Sequence, residues 1–160
     1  MRVDELMQKD VRTCRADDSM NEAARAMWES DCGFVPVLET DGSGRVVGVI
    51  TDRDICMACY TRGKSLRDLR VSEAMTADVR VCRPDDSLAS AEAEMRSGRV
   101  RRLPVVDASG QLLGVLSLAD IARGFSSSRA RGTKGVTATE VGDLLAAVSE
   151  PRALAATASA

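Results

Sequence analysis

The sequence predicts an α/β fold: two β-α-β-β-α repeats related by a pseudo-twofold axis, packed through their sheets, with a C-terminal extension. Three observations carry this expectation. Asp10–Ser19 (DVRTCRADDS) returns as Asp78–Ser87 (DVRVCRPDDS), with eight of ten residues identical at a spacing of 68. Val35-Pro-Val-Leu38 returns at the same spacing as Leu103-Pro-Val-Val106, and Gly48-Val-Ile-Thr-Asp-Arg-Asp-Ile55 returns as Gly114-Val-Leu-Ser-Leu-Ala-Asp-Ile121 at a spacing of 66. The missing two residues fall in a turn, Thr40-Asp-Gly-Ser-Gly44 against Ala108-Ser-Gly110, as expected of a repeat of folded units rather than of low-complexity text. Each copy alone is too small to bury much core, so the two imply one two-lobed module with two equivalent clefts. The expected divisions are 1–65, 66–125, and an extension over 126–160.

Each copy reads in the same order. A short lead-in helix, Val3 to Met7 and then Leu66 to Met75, precedes a strand around Val11 to Cys14 and Val79 to Cys82. A helix follows. Ser19 and Glu22 form a capping box at its start, with Met20, Ala23, Ala24, Met27 and Trp28 on one face; Leu88, Ala91 and Met95 repeat the stripe. Two strands joined by a Gly-containing turn come next, 34–39 with 45–50 and 102–107 with 111–116. Pro36 and Pro104 would damage a central strand, so those strands are expected to begin there or to lie at an edge. A last helix begins at Thr51 or Ser117. Beyond Phe125, Ser126–Gly135 reads as a flexible, mildly basic linker. Val141, Leu144, Leu145 and Val148 then mark a short amphipathic helix ended by Pro151, and the Ala/Ser/Thr tail reads as disordered. That helix caps the module or a dimer, or docks a partner.

Composition removes several function classes. The chain has 160 residues, 44% of them hydrophobic, enough for a proper core. A net charge of −2 and 2% aromatic residues give neither electrostatic attraction to nucleic acid or anionic membrane nor base-stacking platforms. No apolar run approaches a membrane span, and Met1-Arg-Val-Asp-Glu5 is not a signal peptide, so a cytoplasmic location with reduced thiols is expected. The chain has no histidine, which removes the commonest general base, the Ser-His and Cys-His pairs and imidazole zinc sites. There is also no P-loop and no glycine-rich dinucleotide fingerprint. A non-catalytic protein is expected.

The chemistry concentrates in Thr51-x-x-Asp54 and Ser117-x-x-Asp120, each directly after a Gly-Val-apolar strand end. On spacing alone, each is a capping box that closes a helix start. The same geometry makes an anion site, because a helix N-terminus at a strand end offers N–H groups and a favourable dipole. The hydroxyl is placed to bond a phosphate and the carboxylate to accept both hydroxyls of a ribose. Both roles are compatible.

The recurring lead-in Met7 and Met75, the apolar-Pro-Val strands, and the Gly-Val-Ile-Thr-Asp-Arg-Asp and Gly-Val-Leu-Ser-Leu-Ala-Asp motifs resemble a tandem pair of CBS domains, or Bateman module, over roughly residues 1–124. The resemblance implies a regulatory module that does no chemistry, binds adenosyl ligands (AMP, ADP, ATP or S-adenosylmethionine) and associates as a disc-like homodimer. Carried residue by residue, it implies two unequal clefts. One uses Thr13, the backbone around Gly33, Phe34 and Val35, and Ser117 and Asp120, with Arg101 and Arg102 near the phosphate and Leu103 beside them. The other uses Thr51, Asp54 and Arg53, but Val81 replaces the strand hydroxyl and Gly33 and Phe34 face it where the first has arginines. The first cleft is therefore expected to bind more tightly.

Other groups have plainer readings. Arg99, Arg101 and Arg102 also fit a solvated strand edge paired with Asp107 or Glu94. Asp17-Asp18 and Asp85-Asp86 precede helix-capping serines and fit turn and dipole roles better than acid–base work. Cys14 and Cys82 fit packing positions. Cys56-Met-Ala-Cys59 is a C-x-x-C without a second pair, so a zinc site would need Cys14, Cys32 or Cys82 nearby. Two rivals to the nucleotide sensor remain: a dimerisation or docking module with vestigial clefts, and a thiol- or metal-responsive sensor built on Cys56 and Cys59.

Overall fold

The computed structural model of the chain describes residues 1–131 and 136–150, with the side chains of 1–126 and 136–150. The first copy comprises β1 (Cys14–Arg15), α1 (Met20–Glu29), β2 (Phe34–Leu38), β3 (Val46–Thr51) and α2 (Asp52–Arg62). The second has α3 (Leu88–Gly98), β4 (Arg102–Val106), β5 (Leu112–Ser117) and α4 (Leu118–Arg131), followed by α5 (Ala138–Ser149). Sheet order is β1-β2-β3, with β1 parallel and β3 antiparallel to β2, and β4-β5 antiparallel. Cys82 makes a single parallel bridge to Val105 where the first copy has β1. The α/β class and the repeat order stand as expected.

Two pairs of equivalent residues locate the pseudo-twofold axis. Arg45 bridges Gln111, with Val46 N–H donating to Gly110 O (3.1 Å) and Leu112 N–H to Gly44 O (3.0 Å). At the other end, the Arg102 guanidinium lies 5.8 Å from the centroid of the Phe34 ring. Residues that the repeat superposes can touch each other only where its axis passes between them.

The lead-ins are shorter and placed differently than expected. Only Val3–Glu5 and Val71–Glu73 form 3-10 turns. The rest of each is turn and irregular chain that shares backbone bonds with other elements: Met20 N–H donates to Leu69 O and Asn21 N–H to Leu66 O, while Gln8 exchanges two 2.9 Å bonds with Val115. Each lead-in also covers the other copy's side of the sequence. Val3 is fully buried among Leu88, Met95, Leu103 and Leu116 of the second copy, and Leu69 and Val71 are buried among Met20, Val35 and Ile50 of the first. Gly114 permits this, because a Cβ there would meet Gln8 O at 2.5 Å.

Three further expectations are corrected. The early strands narrow to Cys14–Arg15 and the lone Cys82 bridge. Pro36 lies inside β2, the central strand of its sheet, rather than at an edge or a start. The second copy shows why this is tolerated. Cys82 N–H donates to Pro104 O (3.1 Å), so the proline's missing N–H faces the ladder just before its parallel partner begins. Finally, α4 continues through Ser126 to Arg131, so the first part of the expected linker is helix. Residues 132–135, Pro151 and the tail lie outside the described residues.

The amphipathic helix expected around Val141–Val148 is present as α5, capped by Thr137 and Glu140. Its Leu144 and Val148 are buried against α3 and α4, in the core of the second copy. The equivalent face of the first copy, between α1 and α2, instead forms an open groove of about 680 Å³ lined by Met27, Trp28, Cys32, Ile55, Cys56 and Cys59.

Candidate functional site

Antiparallel pairing sets Phe34 opposite Thr51 and Arg102 opposite Ser117. Because Phe34 and Arg102 meet at the axis, the two Ser/Thr-x-x-Asp motifs flank one central contact from either side. Arg102 therefore stands between the clefts, against Phe34, rather than wholly in one of them. Arg101, Arg53 and the Arg102 guanidinium form no ion pair among the described residues. Val35 and Leu103 are buried strand residues beneath these positions. Thr13 precedes β1, across β2 from Thr51, and no side-chain hydrogen bond among the described residues links it to Ser117 or Asp120. Val81 is 38% exposed.

Both motifs form capping boxes. Thr51 donates its N–H (2.9 Å) and hydroxyl (2.7 Å) to Asp54 Oδ2, and Asp54 N–H returns to Thr51 Oγ1 (3.2 Å). Ser117 donates its N–H (2.8 Å) and hydroxyl to Asp120 Oδ2, and Asp120 N–H returns to Ser117 Oγ (3.2 Å). The amides expected to be free are largely engaged. Asp52 N–H donates to Gly33 O and Leu118 N–H to Arg101 O, while Arg53 N–H bonds the Asp52 carboxylate. Backbone amides thus contribute little to an anion site here. Charge for a phosphate has to come from the arginines.

The two carboxylates differ in a way that no local motif signals. Asp54 Oδ1 has no partner among the described residues, so the acceptor needed by a ribose diol is open. Asp120 is only 3% exposed, and its Oδ1 accepts from Gln8 Nε2 (3.0 Å) and from Arg123.

The remaining candidates take structural roles. Asp18 and Asp86 accept from the backbone of Arg15 and Arg83 and hold their turns. Arg99 pairs with Glu150 rather than with Asp107 or Glu94; Glu94 pairs with Arg80, and Asp107 holds its own turn through Ser109 and Gln111. Burial pushes the thiols of Cys14 and Cys82 up to about 12, which makes them packing groups. Among the described residues no group of three or more Cys, Asp and Glu side chains is arranged to hold a metal. No helix among them is long and apolar enough to cross a membrane.

Comparisons with known proteins bear on the family and the fold. The chain is 32% identical over 131 residues to the CBS domain-containing protein YhcV of Bacillus subtilis, covering 82% of this chain and 90% of that one. It is 34% identical to the homoserine O-acetyltransferase of Methanohalophilus mahii, but spans only 25% of that enzyme's length. Among solved structures it superposes on the CBS domain pair of MJ0100, in complex with 5′-methylthioadenosine and S-adenosyl-L-methionine, with a TM-score of 0.71 at 26% identity, covering 80% of this chain and 98% of that one. Hypoxic Response Protein I, solved with two coordinated zinc ions, gives 0.69 at 27% identity, covering 77% and 98%. The family model described as CBS domain matches residues 3–60 and again 71–127, and the chain belongs to the CBS domain family.

Proposed function

We infer that the chain is a non-catalytic regulatory module that binds an adenine nucleotide or S-adenosylmethionine in the clefts between its repeats. It signals by a change in conformation or assembly. The observation that carries this is the symmetric placement of Thr51 opposite Phe34 and Ser117 opposite Arg102, with Asp54 and Asp120 each one helical turn beyond its strand end and the Phe34–Arg102 contact between the two motifs. A carboxylate held in that way suits a ribose diol, and Arg101, Arg102 and Arg53 supply the phosphate's counter-charge. The backbone of Gly33, Phe34, Val35 and Leu103 and the side chain of Thr13 complete the walls. The adenosyl ligands of MJ0100 favour the same ligand class.

The module acts as a homodimer through the open α1–α2 groove, which α5 leaves uncovered on the first copy. Asp31 and Asp52 stand at one end of this groove, and Lys64 and Arg67 lie just beyond α2 at the other. A twofold-related copy laid antiparallel sets opposite charges together.

Thermal melting with AMP, ADP, ATP and S-adenosylmethionine tests the ligand. At about 100 times its dissociation constant a ligand adds roughly 2.7 kcal/mol, several degrees in a chain of this size. A shift lost when Asp54 and Asp120 are both replaced by alanine supports the assignment. No shift with any of the four overturns it in favour of a docking module with vestigial clefts.

A further inference from the structure

We propose that Gln8 and Arg123 clamp Asp120, so that this cleft opens to a ribose-bearing ligand only when they let go, and the Asp54 cleft fills first. The inference rests on the nucleotide reading above, adds an order and a gate to it, and reverses the order expected from the sequence, in which the Asp120 cleft binds more tightly. Its ground is a comparison the molecule makes with itself. The repeat superposes Gln8 on Thr76 and Arg123 on Met57. Thr76 makes the same backbone bridge to Val49 that Gln8 makes to Val115, at 2.9 and 3.0 Å against 2.9 and 2.9 Å. The lead-in backbones are therefore placed alike, and only the side chains differ. Among the described residues neither Thr76 nor Met57 makes a side-chain hydrogen bond to Asp54, whose Oδ1 has no partner there, whereas Gln8 and Arg123 both donate to Asp120 Oδ1.

The consequence is competitive. A diol must replace these donors on a carboxylate already bonded through Oδ2 to Ser117. Hydrogen bonds to charged groups are among the stronger ones in proteins, so displacing them weakens the cleft relative to its partner. Arg123 is 65% exposed, so part of its loss is recovered in water; Gln8 is fixed by its bridge to β5 and has to rotate away. Occupancy of the Asp120 cleft is thereby reported to the N-terminal lead-in, and among the described residues no side chain does the same for the Asp54 cleft.

Exchanging the two residues for their counterparts, Gln8→Thr with Arg123→Met, is the test. AMP is titrated calorimetrically into proteins that also carry Asp54→Ala, so that only the Asp120 cleft reports, and into the wild type. Tighter binding by about tenfold or more in the exchanged protein supports the clamp. Unchanged or weaker binding overturns it, weaker binding marking Arg123 as a ligand contact instead. If the wild type binds AMP and neither Asp54→Ala protein does, the clamp is also overturned. Silence from every protein, wild type included, with AMP and then with ADP, ATP and S-adenosylmethionine in its place, overturns the nucleotide reading and the clamp with it. The Gln8 side-chain amide, one of two glutamine amides in the chain, gives an independent spectroscopic readout. Its resonance moves as AMP fills the Asp120 cleft if it is released, and a stationary resonance at saturation refutes the gate.

Discussion

Gly114→Ala should unfasten the N-terminal lead-in from the second repeat. A Cβ at position 114 meets Gln8 O at 2.5 Å, Gln8 C at 3.4 Å and Met7 Sδ at 3.3 Å. The first of these is a backbone atom that cannot swing aside, and it is the atom that accepts the Val115 N–H at 2.9 Å. Relief requires the lead-in to lift, which strains or breaks two backbone bonds and loosens Val3 and Leu6 in the core of the second copy. Overpacking of this kind costs about 1–3 kcal/mol. With roughly 3 °C of melting temperature per kcal/mol at this length, the variant should melt about 3–9 °C below wild type. Gly142→Ala is the matched control: it lies in α5 with nothing within 4 Å of the added Cβ, so it should hold or raise the melting temperature. Differential scanning calorimetry on the two variants reads both. A Gly114→Ala protein that melts within 1 °C or so of wild type, against the several degrees expected, would refute the close approach of the lead-in and the placement of Gln8 with it.

Two further outcomes are expected. Glu92 is buried on α3, and burial, with Glu140 nearby, raises its carboxyl above the usual range while Arg96 at 3.8 Å only partly offsets this. A carboxyl whose folded-state pKa is raised binds its proton more tightly in the native than in the unfolded chain. It therefore subtracts stability as pH climbs above the unfolded value. Glu92→Gln should be more stable than wild type at neutral pH, the difference vanishing in acid below the ordinary glutamate range; equal urea midpoints at neutral pH would count against it. Mass-spectrometric mapping of iodoacetamide at mildly alkaline pH should find exposed Cys56 alkylated and Cys14 and Cys82 intact, because burial holds the latter two up to about 12. Alkylation of Cys14 in the folded protein would contradict its packing role.

Much of the fold was legible because its determinants are local. The Ser19–Glu22, Thr51–Asp54 and Ser117–Asp120 caps, the Gly-containing turns and the apolar stripe of α5 each lie within a few residues of one another. What escaped depends on chain partners far apart. Gln8 lies 112 residues from Asp120, and nothing in either segment announces the contact. Pro36 looked incompatible with a central strand because the sequence does not say where the parallel partner starts to pair. The amides at the two helix starts looked free because the carbonyls that take them, Gly33 and Arg101, end the preceding loops rather than belong to the helices. The stripe of α5 declared a buried face but not which surface buries it.

The departures from repeat symmetry fall on one side of the molecule. The second repeat receives α5 over its helices, and the lead-in that crosses its β5 carries Gln8 to Asp120. The first repeat keeps an open α1–α2 groove and an Asp54 with one oxygen unclaimed. Duplication by itself produces two equal clefts, and equal clefts fill together; inequality is what lets a pair of sites respond in sequence as ligand rises. Here the inequality resides in side chains outside the strand–helix junctions that both repeats share, at positions 8 and 123 against 76 and 57. A ligand that differs in affinity for the open and clamped arrangements shifts their balance by no more than that difference. The first-filled cleft therefore sets occupancy, and the clamped cleft, through Gln8, sets what the rest of the chain can sense.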